Sequence, residues 1–190
     1  MVLPFGGRVC HRLLRIPVIF FGWDFFLKLV RTADVFVQNY SGRSMEKLGF
    51  SYGEIKKINP NIIYCSMTGF GRTGPKAEHP AYDSIIQAYS GLMELNGVKA
   101  TGPIRVGPAV VDYGTGIHAA FAISSALYRR QITGEGLEID LSMLDAAIML
   151  MTSTVADSLS SGISRPSYGN NLSLIHISEP TRRRGIAVGG

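Results

Sequence analysis

Ile62-Ile-Tyr-Cys-Ser-Met67, followed by Gly69-Phe-Gly-Arg-Thr-Gly-Pro75, joins a short apolar run to a glycine-rich loop. An apolar run of this length between turn residues is typical of a buried strand. Asp34-Val-Phe-Val-Gln38 and Leu137-Glu-Ile-Asp-Leu141 predict two further strands. Because segments with helical spacing separate these strands, we expect an α/β fold with a largely parallel sheet.

The predicted helices are recognised by apolar residues at helical spacing and by glycine or proline at their ends. They cover residues 25–32, 45–48, 51–59, 80–95, 112–130 and 142–160. Ser51 and Glu54 have the spacing of a capping box, and Asp112 is expected to be the N-cap of its helix. One more short strand is predicted near residues 106–111.

The composition argues against several function classes. Hydrophobic residues make up 46% of the chain and charged residues 17%, which is typical of a globular protein. The net charge is +5, but the excess of arginine lies near the two ends, at residues 8–15 and 182–184. We therefore expect no nucleic-acid partner, which would need one basic face. The two cysteines and four histidines have no zinc-ligand spacing, so we expect no metal and a reduced cytoplasmic protein.

An apolar segment at residues 16–23 resembles the core of an export signal. It is too short to cross a bilayer, which needs about 20 apolar residues. Asp24 and Lys28 interrupt the apolar run, and no small-residue cleavage site follows. We therefore expect no export signal, no membrane partner and a cytoplasmic location.

The two ends of the chain differ from its middle. Residues 1–24 show no helical or alternating period, and we expect them to come from a shifted reading frame or a false start. Residues 172–182 are identical to one reading frame of a transposase adapter used in DNA library preparation. This resemblance predicts a non-native tail at 172–190; the alternative is a real polar loop followed by a strand. The credible sequence is then 25–171.

The glycine-rich loop is the first candidate for chemistry. Gly69, Gly71 and Gly74 follow a strand, and such a loop brings backbone N–H groups close to phosphates or an oxyanion. A dinucleotide site would need a helix that begins within the glycines, whereas Pro75 follows at once. The first alternative to a phosphate-binding or oxyanion-binding loop is a nicotinamide-binding domain, which the position of Pro75 disfavours. The second is a loop with a purely structural role, as a tight turn between strand and helix.

A second candidate combines an amide, an aromatic ring and two cations: Asn39, Tyr40, Arg43 and Lys47. These side chains suit a nucleotide phosphate and an adenine face. The alternative is a solvated loop and helix surface.

Two aspartates form the third candidate. Asp83 and Asp112 each have the chemistry of a nucleophile or a general acid/base. Each also has a structural explanation, because Asp83 lies in a predicted first helical turn and Asp112 at a predicted N-cap. Cys65 lies in the predicted buried strand and is expected to be core rather than a nucleophile.

Eight stretches, taken in order, resemble the class III CoA-transferase family. They are Ala33-Asp-Val-Phe-Val-Gln-Asn-Tyr40, Met45-Glu-Lys-Leu-Gly49, Asn59-Pro-Asn-Ile-Ile-Tyr64, Thr68-Gly-Phe-Gly-Arg-Thr-Gly-Pro75, Tyr82-Asp-Ser-Ile-Ile-Gln-Ala-Tyr-Ser-Gly-Leu92, Pro103-Ile-Arg-Val-Gly107, Asp112-Tyr-Gly-Thr-Gly116 and Thr133-Gly-Glu-Gly136. The resemblance covers roughly residues 25–171. It is specific for the superfamily, which includes formyl-CoA and carnitine CoA-transferases, and much less so for the substrate.

The resemblance implies a Rossmann-like large domain, here incomplete, with the small domain and the C-terminal return missing. It implies an interlocked homodimer when full length, with an acyl-CoA and a small carboxylic acid as substrates and no metal or nicotinamide. The implied CoA contacts are Asn39, Tyr40, Lys47, Leu48, Thr68, Gly69 and Phe70.

The catalytic position is where this sequence departs from the family. In the transferases an aspartate attacks the donor thioester, giving a mixed anhydride and then an enzyme-bound CoA thioester. That position corresponds to Ala100 here, so Asp83 and Asp112 are the remaining catalytic candidates. The related α-methylacyl-CoA racemases use a histidine and an aspartate, at positions that correspond to Tyr82 and Asp112. The alternatives to a transferase are therefore a silent CoA-binding subunit and a racemase.

Overall fold

A computed structural model describes residues 23–164 and residue 167. The expectations for residues 1–22 and 172–190 lie outside this part of the chain. The helices are α1 (Trp23–Thr32), α2 (Gly42–Lys47), α3 (Tyr52–Ile58), α4 (Asp83–Tyr89), α5 (Leu92–Asn96), α6 (Val110–Thr133), α7 (Met143–Leu150) and α8 (Thr152–Ser161). The strands are β1 (Val35–Gln38), β2 (Ile63–Thr68) and β3 (Leu137–Ser142).

The three strands form a parallel sheet in the order β1-β2-β3, which confirms the predicted α/β class. Parallel neighbours need crossover connections, and helices supply them here. The central strand, β2, has Ile63, Tyr64 and Cys65 almost completely buried, as expected for a strand covered on both faces.

Helices cover the sheet through two separate hydrophobic clusters. Tyr64 and Ile62 pack with Val30, Phe50 and Ile55, so α1 and α3 contribute to the same cluster. The second cluster has Ile86, Val111 and Ala147 at its centre and joins α4, α6 and α7. The long helix α6 also contacts β2 and β3, so it links the second cluster to the sheet.

Two predicted helices are broken in the structure. The helix expected over 80–95 begins at Asp83 and is interrupted at Gly91, whose φ of 86° lies in the left-handed region. The helix expected over 142–160 is divided at Met151 into α7 and α8. Periodicity alone does not reveal either break, because apolar spacing continues across it.

The predicted strand near residues 106–111 is wrong. Val106 donates its backbone N–H to the side chain of Gln87 rather than to a neighbouring strand, and Pro108 has no N–H to donate. α6 already begins at Val110 with Ala109 as its N-cap. Asp112 therefore lies in the first turn of α6 and is not the N-cap that the sequence predicted.

The capping box predicted at the start of α3 does not form. Ser51 is the N-cap, but its side chain makes no capping hydrogen bond. Glu54 instead pairs with Lys57, with 2.7 Å between its carboxylate and the ammonium group. The ion pair with Lys57 directs the Glu54 carboxylate along α3, so Glu54 does not reach back to the N–H of Ser51 as a capping box requires.

Across residues 23–164 no helix is long and apolar enough to cross a membrane. Within the same residues, no group of three or more His, Cys, Asp or Glu side chains is placed to hold a metal ion.

Candidate functional site

The carboxyl ends of β1 and β2 lie side by side, because Gln38 is in register with Ser66 in the parallel sheet. Asn39 and Tyr40 leave the end of β1, while Thr68 closes β2 and leads into the glycine-rich loop. In open α/β sheets ligands bind in the crevice outside the carboxyl ends of the strands. The structure thus brings together two of the three segments that the resemblance implicated in CoA contact.

Gln38 is a residue that the sequence analysis missed. Its side chain is 7% exposed and makes two hydrogen bonds at the end of β1. The amide nitrogen donates to Ser66 Oγ at 2.7 Å, and the amide oxygen accepts the backbone N–H of Tyr40 at 2.6 Å. A polar residue at the end of a predicted strand gives no local signal of such a bond.

The third implicated segment, Lys47 and Leu48, lies at the C-terminal end of α2. Ser41 is the N-cap of this helix and accepts the N–H of Ser44. The helix is terminated by Gly49, with φ of 70°, so Lys47 and Leu48 occupy its last turn and both are exposed. Lys47 therefore offers its ammonium group to solvent or to an anion, and Leu48 offers an apolar surface.

Close packing explains the glycine at the first position of the loop. A Cβ at Gly69 would lie 2.4 Å from the Cβ of Ala81, so no side chain fits there without a shift. The carbonyl of Gly69 accepts the N–H of Leu144, which ties the loop to the start of α7. The N–H of Arg72 donates to the carboxylate of Asp140 at 3.0 Å. The loop is thus held rigidly against β3 and α7.

The glycines do not open a helix. Turns occupy the residues after Pro75, and the next helix begins only at Asp83. A dinucleotide-binding loop needs the helix N-terminus at the glycines. This loop therefore does not have the geometry of a nicotinamide dinucleotide-binding loop.

An aromatic cluster flanks the end of the loop. The ring of Phe70 meets Tyr89 edge-on with centroids 5.2 Å apart. The ammonium group of Lys76 lies 5.1 Å from the Tyr89 centroid and 6.0 Å from that of Phe70. Such contacts hold a cation near an apolar wall, a combination that suits the phosphate and adenine parts of a nucleotide.

Thr68 has an unsatisfied polar atom. Its hydroxyl oxygen is buried and has no hydrogen-bond partner within the described residues. Leaving such a group unpaired costs about 1–3 kcal/mol.

Asp83, a predicted catalytic candidate, lies at the junction of α4 and α6 and is 7% exposed. One carboxylate oxygen accepts the backbone N–H groups of Val111 at 2.8 Å and Asp112 at 3.1 Å. The other oxygen accepts the side-chain amide of Gln87 at 2.5 Å. Asp83 thus satisfies the free N–H groups at the start of α6, which Ala109 at the N-cap has no side-chain acceptor to bond.

Asp112, the other candidate, is exposed at the start of α6. Partial desolvation and, second, the nearby Asp83 carboxylate raise the pKa of Asp112 above its ordinary range. Tyr82 directly precedes Asp83 and is 76% exposed, so the two positions of the racemase reading face solvent at one junction.

Ala100, which the resemblance led us to expect at the position of the family nucleophile, lies in a tight turn between α5 and α6. Val98 and Gly102 form an isolated bridge, and Thr101 Oγ1 hydrogen-bonds to the Val98 backbone. Ala100 is exposed, so a longer side chain would point into open space. The bonds of the connection lead to α4 and α5 rather than to the strand ends, for example from Val106 to Gln87.

Cys65 is not placed for nucleophilic chemistry. Its side chain is completely buried in β2. Burial, with a smaller contribution from the Asp140 carboxylate, raises the pKa of the Cys65 thiol to about 11. The thiol is therefore protonated at neutral pH, which agrees with the prediction that it is part of the core.

Several known proteins are similar to this chain in sequence and fold. The chain is 46% identical over 127 residues to the acetyl-CoA:oxalate CoA-transferase of Acetobacter aceti, covering 66% of this chain and 33% of that protein. It is 42% identical over 132 residues to the succinyl-CoA:glutarate CoA-transferase of Mus musculus, covering 70% and 30%. A crystal structure of a CAIB/BAIF family protein from Brucella suis matches with a TM-score of 0.73 and 39% identity, covering 76% and 38%.

The chain spans about a third of the length of these curated relatives. The model of CoA-transferase family III matches residues 22–181. This match ends inside the segment 172–190 that resembles an adapter, so the boundary expected near Asn171 stays a prediction. The match covers most of the chain and confirms the resemblance drawn from the eight motifs: the chain belongs to CoA-transferase family III.

Proposed function

We propose that the complete protein binds coenzyme A at the carboxyl ends of β1 and β2 and moves it between an acyl-CoA and a small carboxylic acid. The observation that carries the proposal is the convergence at one sheet edge of the segments at Asn39–Tyr40 and Thr68–Phe70, in register through Gln38 and Ser66. CoA has an adenine ring, a pantetheine arm and three phosphates. It needs apolar walls, hydrogen-bond donors and cations together.

The side chains at this edge match those needs. Tyr40 is 57% exposed and offers a ring face for stacking. Lys47 and Lys76 supply cations, and the described contacts do not pair either of them with a carboxylate. In contrast, Arg43 pairs with Glu78 at 3.7 Å. Phosphate binding is thus assigned to the lysines rather than to that arginine.

The acceptor is proposed to be a small dicarboxylic acid. Oxalate and glutarate are the acids in the names of two relatives, and mesaconate is the acid in a third. The protein is further proposed to work as a homodimer in the cytoplasm. The long helix α6 supports the homodimer, because it exposes a row of apolar side chains of the kind that is buried at protein–protein interfaces. The row consists of Tyr113, Ile117, Phe121, Tyr128 and Ile132.

A second candidate is favoured by the residue at position 100. Ala100 has no group that could attack a thioester, which fits a catalytically silent CoA-binding subunit that works beside an active homologue. A third candidate, α-proton exchange on an acyl-CoA, is favoured by the placement of Tyr82 and Asp112, which are both exposed at the junction of α4 and α6. It lacks a histidine at Tyr82, and a protonated phenol is a poor general base near neutral pH.

The deciding experiment incubates the complete protein with acetyl-CoA or succinyl-CoA and a labelled dicarboxylic acid, and follows the labelled acyl-CoA by mass spectrometry. Transfer by the natural sequence supports the transferase. Transfer only after Ala100→Asp supports the silent subunit, and deuterium wash-in at the α-carbon supports the racemase. No transfer by either sequence, with any acid and donor, would refute the transferase proposal.

CoA binding itself is tested by a matched pair of lysine variants. Lys47 and Lys57 are both exposed and lie in the last turns of neighbouring helices, but Lys57 is paired with Glu54. We expect Lys47→Met to weaken CoA binding several-fold and Lys57→Met to leave it unchanged. Equal effects of the two changes would contradict the assignment.

A further inference from the structure

The turn that leaves β1 is anchored by a single buried side chain. Gln38 is 7% exposed, and its amide oxygen accepts the N–H of Tyr40 at 2.6 Å. Its amide nitrogen donates to Ser66, which is completely buried on the neighbouring strand, at 2.7 Å. The backbone N–H of Tyr40 can only donate, so the amide oxygen of Gln38 faces the turn, and the Ser66 hydroxyl accepts from the amide nitrogen at the other end.

Packing does not hold this turn. Tyr40 is 57% exposed, and Asn39 is exposed as well. The exposed ring is therefore not wedged against the core. The backbone bond to Gln38 supplies the restraint that the side chains lack.

We propose that Gln38 is a positioning residue for CoA binding: it holds the backbone of Tyr40 so that Asn39 and Tyr40 are presented beside Thr68 before the ligand arrives. This inference rests on the proposed function, and it assigns a role to a residue that does not itself face the ligand. Preorganisation of this kind raises affinity because the loop is already ordered when the ligand binds.

Two variants separate positioning from simple stability. Gln38→Met keeps the size of the side chain and removes both bonds. Gln38→Glu keeps an acceptor for the Tyr40 N–H, and the hydroxyl of Ser66 is free to rotate and donate to the second carboxylate oxygen. The control is Asn59→Leu, at the opposite end of the sheet. The Asn59 amide nitrogen donates to the carbonyls of Val30 at 3.0 Å and Ala33 at 2.9 Å, and its oxygen accepts the N–H of Asn61 at 3.2 Å.

The measurements are the Kd for CoA by calorimetry on the complete protein and amide hydrogen exchange of residues 39–41 without ligand. We expect Gln38→Met to raise Kd about tenfold and to speed exchange in this segment. We expect Gln38→Glu to stay within about threefold of the natural sequence. Asn59→Leu should lower thermal stability without changing Kd or exchange in residues 39–41.

Several results would overturn the inference. They are an unchanged Kd in Gln38→Met, an equal loss in Asn59→Leu, and a loss in Gln38→Glu as large as in Gln38→Met. If the natural protein does not bind CoA at all, the proposed function fails and the role in CoA binding fails with it. If the natural protein binds CoA and Gln38→Met binds it equally well, this inference fails alone.

Discussion

Replacing Asp83 by asparagine separates a structural role of this carboxylate from a catalytic one. In the structure one oxygen of Asp83 accepts the N–H groups of Val111 and Asp112, and the other accepts the amide of Gln87. Gln87 is completely buried, and its own oxygen accepts the N–H of Val106 at 2.9 Å. Every donor in this chain of bonds has an acceptor.

An asparagine at this position leaves one donor unpaired. If its single oxygen faces α6, its NH₂ group faces the NH₂ group of Gln87. Turning the Gln87 amide over would place that NH₂ group against the N–H of Val106. An unpaired buried donor costs about 1–3 kcal/mol, and losing a negative charge at a helix N-terminus costs about 0.3–1 kcal/mol. We therefore expect Asp83→Asn to lower the free energy of unfolding by about 2–3 kcal/mol.

The same geometry predicts a rescue. In the double variant Asp83→Asn with Gln87→Glu, the asparagine oxygen accepts from α6 and its NH₂ group donates to the new carboxylate. The second oxygen of that carboxylate still accepts from Val106. We expect the two changes together to be at least about 1 kcal/mol less destabilising than the sum of the single changes. The control is Asp145→Asn, because Asp145 is an exposed aspartate in the first turn of α7.

Urea unfolding of the complete protein supplies the free energies, and hydrogen exchange of the Val111 and Asp112 amides shows whether the start of α6 opens. The control should cost about 0.5 kcal/mol or less. Strict additivity, or a cost in Asp83→Asn no larger than in the control, would refute the structural role. A loss of activity at unchanged stability, not restored by Gln87→Glu, would show instead that Asp83 acts in catalysis.

Three further predictions follow from local geometry. Gly69→Ala places a methyl group against Ala81 and should cost about 1–3 kcal/mol, part of which Ala81→Gly restores; full stability of Gly69→Ala in a thermal melt would disprove the close contact. Burial raises the pKa of Tyr64 from 10.0 to about 12, so the folded state keeps this proton longer than the unfolded chain and stability falls as pH rises from about 10 to about 12, by up to about 3 kcal/mol. Tyr64→Phe should flatten that fall in pH-dependent urea titrations, and an equally steep fall would count against it. Ala100→Asp should change the free energy of unfolding by less than about 0.5 kcal/mol, because Ala100 is exposed in a turn; a larger change would show that the turn is packed.

Local sequence patterns were sufficient for the three strands of the sheet and for the ends of several helices, but they also predicted a strand near residues 106–111 that does not form. The run from Ile62 to Met67 was apolar enough to predict the central strand, and Gly49 predicted the end of α2. Such features depend on neighbours within a few residues, which a single sequence displays directly. The eight ordered motifs also predicted the family, because residue types and their spacing can be recognised without any knowledge of three-dimensional contacts.

The hydrogen-bond partners and structural roles of individual polar residues were decided only by the tertiary structure. Asp83 was predicted to lie in a first helical turn and does, yet it caps α6, which begins almost thirty residues later. The i,i+4 spacing of Asp83 and Gln87 was a usable signal for their mutual bond. No pattern showed that the amide oxygen of Gln87 accepts the N–H of Val106, or that Gln38 bonds both Tyr40 and, on the neighbouring strand, Ser66. The bonds from Gln38 to Ser66 and from Val106 to Gln87 join segments that meet only after folding, and a buried donor pairs with whichever acceptor the fold places beside it.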